Sequence, residues 1–481
     1  MSISQVGLPK ELSKDMEYQL PAGLSSYPVR VVPSNIQSIT TGSLPALSGT
    51  STPVSLSFPA TPVIFDIPAN GGKSVFIDHR YSTLSFRVNY EVVSVGTAQT
   101  MGTSYLRSNA QSWVERATTF GQSGIVLDDI NNFGLVADTL LQLEMDVAQR
   151  DCLSSMYGLL AEASSTSALN ANQGHSIAGW SGTLSAGSNY YSYCVPLMNS
   201  VFGVDAKKFF NIGATSKLQL QLTTPSIAPI TLATGSTGSG GVLKITIDRI
   251  QLNLQYIDVG QDGLKMMSNG GLQYYPATTY RVSNVSLPAG SGGQISLLTS
   301  IKGSSIRNII CRVNETPLSA VGSLNERYDA KSLLSVSTAF NINGMRVPSF
   351  PIDQVHDLAL SFSTLQECNA SFTPREMKSS ITPDRFGVYV ASTNVPTDAD
   401  ELLATTNSSA GTLASSFFGY NFEKISKAGL LDGINMNGAN SYIEYNTGSS
   451  TTSNACVVYF VAKMDIIYVL DTATGEVSVR M

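Results

Sequence analysis

At 481 residues the chain is too long for one typical domain and comfortable for two of roughly 200 residues each. Charged residues make up only 13% of it, with Ser, Thr, Asn and Gly in their place, as suits many strands joined by polar loops and surfaces that bury one another. The net charge of −6 excludes a protein that coats nucleic acid through a basic face.

The five cysteines, Cys152, Cys194, Cys311, Cys368 and Cys456, are odd in number and far apart. No CxxC or Cys/His cluster occurs, so neither a zinc site nor a disulfide framework is expected, and the thiols read as buried and reduced. The first twenty residues hold no apolar segment of the signal-peptide kind. The most apolar run, 455–470, is interrupted by Lys463 and Asp465 and is too short to span a bilayer as a helix.

Residues 1–50 are rich in Pro, Ser and Thr and read as an arm that becomes ordered against neighbours, with a helical turn or two near 9–18. Strands are expected at 62–67, 82–93 and 112–119. The spacing of Ile130, Phe133, Val136, Leu140, Leu143 and Val147 predicts helices over 128–162, broken near 146–151. A polar loop over 164–187 precedes strands at 189–197 and 218–223, with a helical turn at 205–210 between them.

Next comes LKITIDRIQLNLQYID, 243–258. Leu243, Ile245 and Ile247 alternate with polar residues, and then the apolar set moves to Ile250, Leu252, Leu254 and Tyr256. A period-2 pattern can change parity without losing its buried face only if one residue is inserted, so a bulge is predicted near Asp248–Arg249. The Gly- and Asn-containing stretch after it, 260–272, reads as a linker. The second half repeats the grammar: strands at 274–287, 301–314 and 333–341, helices at 354–368 and 398–404, and a closing hairpin from 455–470 and 476–481 around the turn DTATGE.

Two short echoes lie about 220 residues apart. The turn following Ile67, PANGG, resembles PAGSGG after Leu287, and Arg87-Val-Asn resembles Arg312-Val-Asn. Together they favour a tandem duplication. Two β domains of this size fit sandwiches, most naturally eight-stranded jelly rolls.

No set of catalytic groups survives inspection. Gly72-Lys73-Ser74 resembles the end of a phosphate loop, but the leading glycine is missing and a strand follows where a helix is required. The serine of Gly174-His-Ser-Ile-Ala has no strand before it to lift it above a sheet, as a nucleophile elbow requires. His79, His175 and His356 have no ligand spacing. Asp128-Asp129 and the group Asp398, Asp400 and Glu401 stand where helices are expected to start, so capping accounts for them. Trp113 and Trp180 read as core or interface residues.

Four stretches, 108–134, 196–222, 340–352 and 457–479, resemble in order the double jelly-roll major capsid proteins of the adenovirus-like lineage, most of all those of Polinton-like viruses and virophages. The resemblance implies a mainly β fold of two tandem eight-stranded jelly rolls with short helices in long loops. It also implies an N-terminal arm over 1–50, a first roll over 51–259, the linker 260–272 and a second roll over 273–481. A homotrimer would form a pseudo-hexameric capsomer that tiles an icosahedral shell around a DNA genome. Its partners would be neighbouring capsomers, a penton or vertex protein and minor cement proteins, with no cofactor, catalytic residue, metal, sequence-specific nucleic-acid contact or transmembrane segment. The rival readings are a β-sandwich adhesin or carbohydrate-binding surface protein, a sandwich-bearing glycosidase, and a single-roll vertex protein.

Overall fold

The computed structural model describes residues 25–42, 57–69, 72–92, 105–106, 109–145, 152–153, 156–157, 187–215, 217–226, 230–231, 243–267, 271–315, 337–353, 357–369, 417–423, 433–451 and 455–480. The expected helix at 398–404, the loop 164–186, Trp180, His175, His356 and the acidic group 398–401 lie outside these residues.

The first half carries β1 (Ser25–Val31), β2 (Ser38–Thr40), β3 (Val63–Ile67), β4 (Val75–Val92), β5 (Tyr105–Leu106), β6 (Arg116–Phe120) and β7 (Val126–Asn131). Helix α1 (Phe133–Glu144) follows, then β8 (Gly187–Pro196), β9 (Leu218–Thr223), β10 (Ile230–Thr231) and β11 (Leu243–Asp258). Strand β11 behaves as its pattern requires. Ile245 and Ile247 are buried, then Ile250, Leu252, Leu254 and Tyr256. Opposite β4 the register passes from Asp248↔Arg87 to Gln251↔Ser85, three residues against two, so one residue is inserted. Arg249 takes up the bulge at φ +50°.

Two sheets enclose the first core, one ordered β1-β11-β4-β8 with β2 also on β11, the other β3-β9-β6-β7. Residues 25–31 and 38–40, expected as part of an arm, are therefore strands of the first sandwich. The Pro/Ser/Thr-rich composition hid them, because β1 is short and buries only one side. The two-carboxylate start expected for the helix is also corrected. Asp128 and Asp129 lie on β7, and α1 begins four residues after Asp129, behind Asn132. At 205–210 the chain makes turns instead of a helix, and a 3₁₀ turn follows at Ile212–Ala214.

The stretch read as a linker, 260–272, contains a helix, α2 (Gly260–Met267). The second half then runs β12 (Leu272–Leu287), β13 (Gly292–Thr299), β14 (Ile306–Glu315), β15 (Ser337–Ile342), β16 (Met345–Asp353), α3 (Leu358–Asn369), β17 (Phe417–Asn421), β18 (Ser441–Thr451), β19 (Cys456–Asp471) and β20 (Val477–Arg480). Its sheets are ordered β12-β19-β14-β17, with β20 on β19, and β13-β18-β15-β16. Exchanging β1, β3, β4, β6, β7, β8, β9 and β11 for β12 to β19 in turn converts the first pair of sheets into the second. Each half is thus an eight-stranded antiparallel jelly roll, and α1 and α3 occupy the same connection in both.

One of the two echoes survives this alignment. Arg87-Val-Asn lies on β4 and Arg312-Val-Asn on its counterpart β14. The turn echo does not, since PANGG follows the second strand of its roll and PAGSGG the first of its own.

Candidate assembly surfaces

The outward faces of the two long-strand sheets differ sharply. In the first roll that face is polar and half-exposed, with Thr83, Ser85, Arg87, Thr246, Asp248, Gln251, Asn253 and Gln255. In the second roll the equivalent face is buried, because the first roll lies against it. Tyr459, Val461, Ile466, Tyr468 and Leu470 of β19 join the first roll's apolar cluster, as do Tyr275, Ala277 and Tyr280 of β12. The second roll's own core takes the opposite side of β19 through Cys456, Val458, Phe460, Ala462 and Met464. A strand buried on both sides, with few charges, is what the apolar run at 455–470 encodes.

Many polar groups at this joint are matched across it. Thr279 donates to Asp128 (2.6 Å), whose second oxygen accepts the Ser200 N–H at 3.0 Å. Arg281 donates to the Asp129 carbonyl at 2.7 Å and Tyr468 to the Leu127 carbonyl at 3.3 Å. Lys463 pairs with Glu144 on α1 at 3.0 Å. Arg312 on β14 pairs with Asp138 on α1, both fully buried. The backbone crosses as well: Thr278 N–H donates to the Asp205 carbonyl at 3.0 Å and Lys207 N–H to Pro276 at 3.1 Å.

Asp205 is an exception. Its Oδ1 accepts from Tyr280 at 3.1 Å, while Oδ2 is sealed from water without a hydrogen-bond partner. Burial, then the nearby Glu144 carboxylate, pushes its pKa up to about 7. On Lys463 burial acts downward, yet the charge and hydrogen bond of Glu144 and the charge of Asp205 together raise the ammonium. Sequence reasoning missed Asp205, whose signal was an acid beside an apolar segment in a loop.

The residues singled out from the sequence do not converge. Trp113 is fully buried against Phe86, ring centroids 5.4 Å apart, so it offers nothing to a sugar. Lys73 donates to the Thr472 carbonyl at 3.3 Å and Ser74 is buried ahead of β4. His79 sits where three extra residues of β4 bulge from the ladder with β11, 5.9 Å from Phe209. Asp128 and Asp129 serve the joint and the Arg116 pair (2.7 Å) instead of a helix cap. Cys311, Cys368 and Cys456 are buried as expected, but Cys152 is exposed. Among the described residues no group of three or more His, Cys, Asp or Glu is placed to hold a metal. No helix among them is long and apolar enough to cross a membrane.

No protein-family model matches the sequence, and no curated protein matches it. Solved structures do match. VP54 of PBCV-1, fitted into a cryo-EM reconstruction of the virophage Sputnik, is 10% identical with a TM-score of 0.52, over 96% of this chain and 98% of that one. A chain of the Sputnik virophage structure gives 10% and 0.56, over 96% and 89%. The quasi-atomic PBCV-1 capsid gives 10% and 0.51, over 96% and 98%. At such identity the likeness is one of fold: the chain is a double jelly roll. More particularly, it resembles in structure the double jelly-roll major capsid proteins, over most of the chain.

Proposed function

We propose that this protein is the major capsid protein of a virus, a structural protein of the virion shell and not an enzyme. Three copies close into a capsomer of six rolls with a pseudo-hexagonal outline, and such capsomers tile an icosahedral shell around a DNA genome. One observation carries the reading. Two rolls of identical strand order are fused through a buried joint, which gives each copy two of six near-equivalent positions. A head-to-tail contact of that kind makes rings when rotation closes it. Vertex proteins and minor cement proteins fill the places that hexagonal blocks cannot. The division into an arm, a first roll, a linker and a second roll is retained, with the first roll taking in β1 and β2.

Light scattering of the purified chain near neutral pH and moderate salt is expected to give about three times the chain mass, and negative-stain images a hexagonal outline. A well-behaved monomer at high concentration would overturn the reading.

A further inference from the structure

Strand β19 brings one amine to the joint. On its joint-facing side Tyr459 and Val461 belong to the first roll's apolar cluster, and Lys463 stands two residues further on. Its Nζ donates to Glu144 on α1 at 3.0 Å. Directly opposite Lys463 in the ladder of β12 with β19 is Tyr280. Residues paired in this way keep their Cβ atoms roughly 5 Å apart, and both of these long side chains face the first roll. The Tyr280 hydroxyl donates to Asp205 Oδ1 at 3.1 Å. The amine of Lys463 and the carboxyl of Asp205 therefore end in one small region, where their charges act on each other. Among the described residues Lys463 pairs with Glu144 and not with Asp205.

The carboxyl is a fixed target. The Asp205 carbonyl accepts the Thr278 N–H at 3.0 Å and the Lys207 N–H donates to the Pro276 carbonyl at 3.1 Å, so the backbone is pinned to β12 on both sides of the side chain. Oδ2 is sealed from water and has no hydrogen-bond partner. With a pKa of about 7, the group is present at neutral pH largely as the uncharged acid, the form that an amine can attack. Separate amines and acids do not condense in water. Groups held in place do better, because their effective molarities reach on the order of 10⁵ M or more.

We propose that Lys463 and Asp205 condense into an amide that ties the first roll to the second, with Glu144 carrying the proton. Glu144 takes a proton from Nζ, and the free amine attacks the Asp205 carboxyl carbon. The negative charge develops on Oδ1, where the Tyr280 hydroxyl already donates. Glu144 then protonates Oδ2, the C–Oδ2 bond breaks, and water leaves. Glu144 last takes the second proton from the nitrogen and, being 39% exposed, passes it to solvent. An ammonium and a carboxylic acid thus become one amide, one water and one proton, with no change of oxidation state and no co-reactant. The ammonium must first give up a proton that Glu144 helps it keep, so the bond forms slowly. Freshly made chain lacks it, and the titration of the Asp205 carboxyl belongs to that open form.

The test follows the intact mass of the purified full chain, held folded at neutral pH over days, and then maps its peptides. Wild type is expected to lose the mass of one water, and digestion to release the peptides of Asp205 and Lys463 joined together. Lys463→Arg and Asp205→Ala are expected to keep their full mass, and Glu144→Gln to lose water about a hundredfold more slowly, the usual effect of removing a proton carrier. Circular dichroism checks each fold, and the wild-type mass decides the matter even where a variant misfolds. Wild type that keeps its full mass overturns the proposal. So does a loss of water that persists in Lys463→Arg, which would mark an imide at an aspartate–glycine pair such as Asp262-Gly263. A bond that forms equally fast in Glu144→Gln overturns the part given to Glu144. The bond lies within one chain, so none of these outcomes bears on the capsomer reading.

Discussion

Asp205 shows how one side chain at the joint ties folding to pH. Its carboxyl is held at about 7 in the folded chain against 3.8 for the ordinary group, because burial and Glu144 both disfavour the charge. The native state therefore keeps a proton that the unfolded chain gives up, and stability falls as pH rises from about 4 to about 7, on the order of 1.4 kcal/mol for each unit. Asp205→Asn carries no proton to lose. The difference in urea midpoint between Asp205→Asn and wild type should move in favour of the variant between pH 4.5 and pH 7.5, the other titrating groups cancelling in the comparison. A difference that stays constant with pH would show that Asp205 ionises freely in the folded chain. The sequence contains this acid but not its surroundings: Tyr280, Glu144 and Lys463 come from three separate elements. Asp128 misled for the same reason. Beside a helical pattern it looked like a cap, and only the packing of β12 reveals Thr279 as its partner.

Among the elements, β11 is the best test of reading a strand from its alternation. The parity change between Ile247 and Ile250, the inserted residue and the left-handed backbone at Arg249 agree with one another. Deleting Arg249 removes the insertion and turns either Ile245 and Ile247 or Leu252 and Leu254 away from the core. That variant is expected in the insoluble fraction, whereas Arg249→Gly, which suits φ +50° better, is expected to unfold within about 1 kcal/mol of wild type in urea. Helix α1 was legible over its first three turns, where Phe133, Val136, Leu140 and Leu143 share a buried face. Strands β1 and β2 were not, because an edge strand with one buried side needs few apolar residues. The same holds for β16, whose exposed Met345 and Phe350 look like loop residues until β15 is seen beside them.

For the whole molecule, the buried joint argues that the two rolls unfold together. Arg312 and Asp138 are both sealed within it, and removing one partner of such a pair typically costs about 3–5 kcal/mol, because the other charge stays buried alone. Scanning calorimetry of the wild type should give one transition whose calorimetric and van't Hoff enthalpies agree. Asp138→Ala should lower its midpoint and split it in two as the rolls uncouple. Two separated transitions in the wild type would mean that the joint contributes little.

By itself the sequence determined the β class, the two-part division, the bulge in β11, the closing hairpin of β19 and β20 and the likeness to double jelly rolls. These properties are written in local alternation, in turn residues and in the order of a few segments, so neighbours along the chain suffice to read them. Tertiary structure decided which faces meet. Arg87 and Arg312 stand in the same three-residue motif, yet one ends half-exposed beside Asp248 and the other sealed against Asp138. That difference comes from where the first roll lies on the second, through contacts between residues 150 or more positions apart, which no local pattern records.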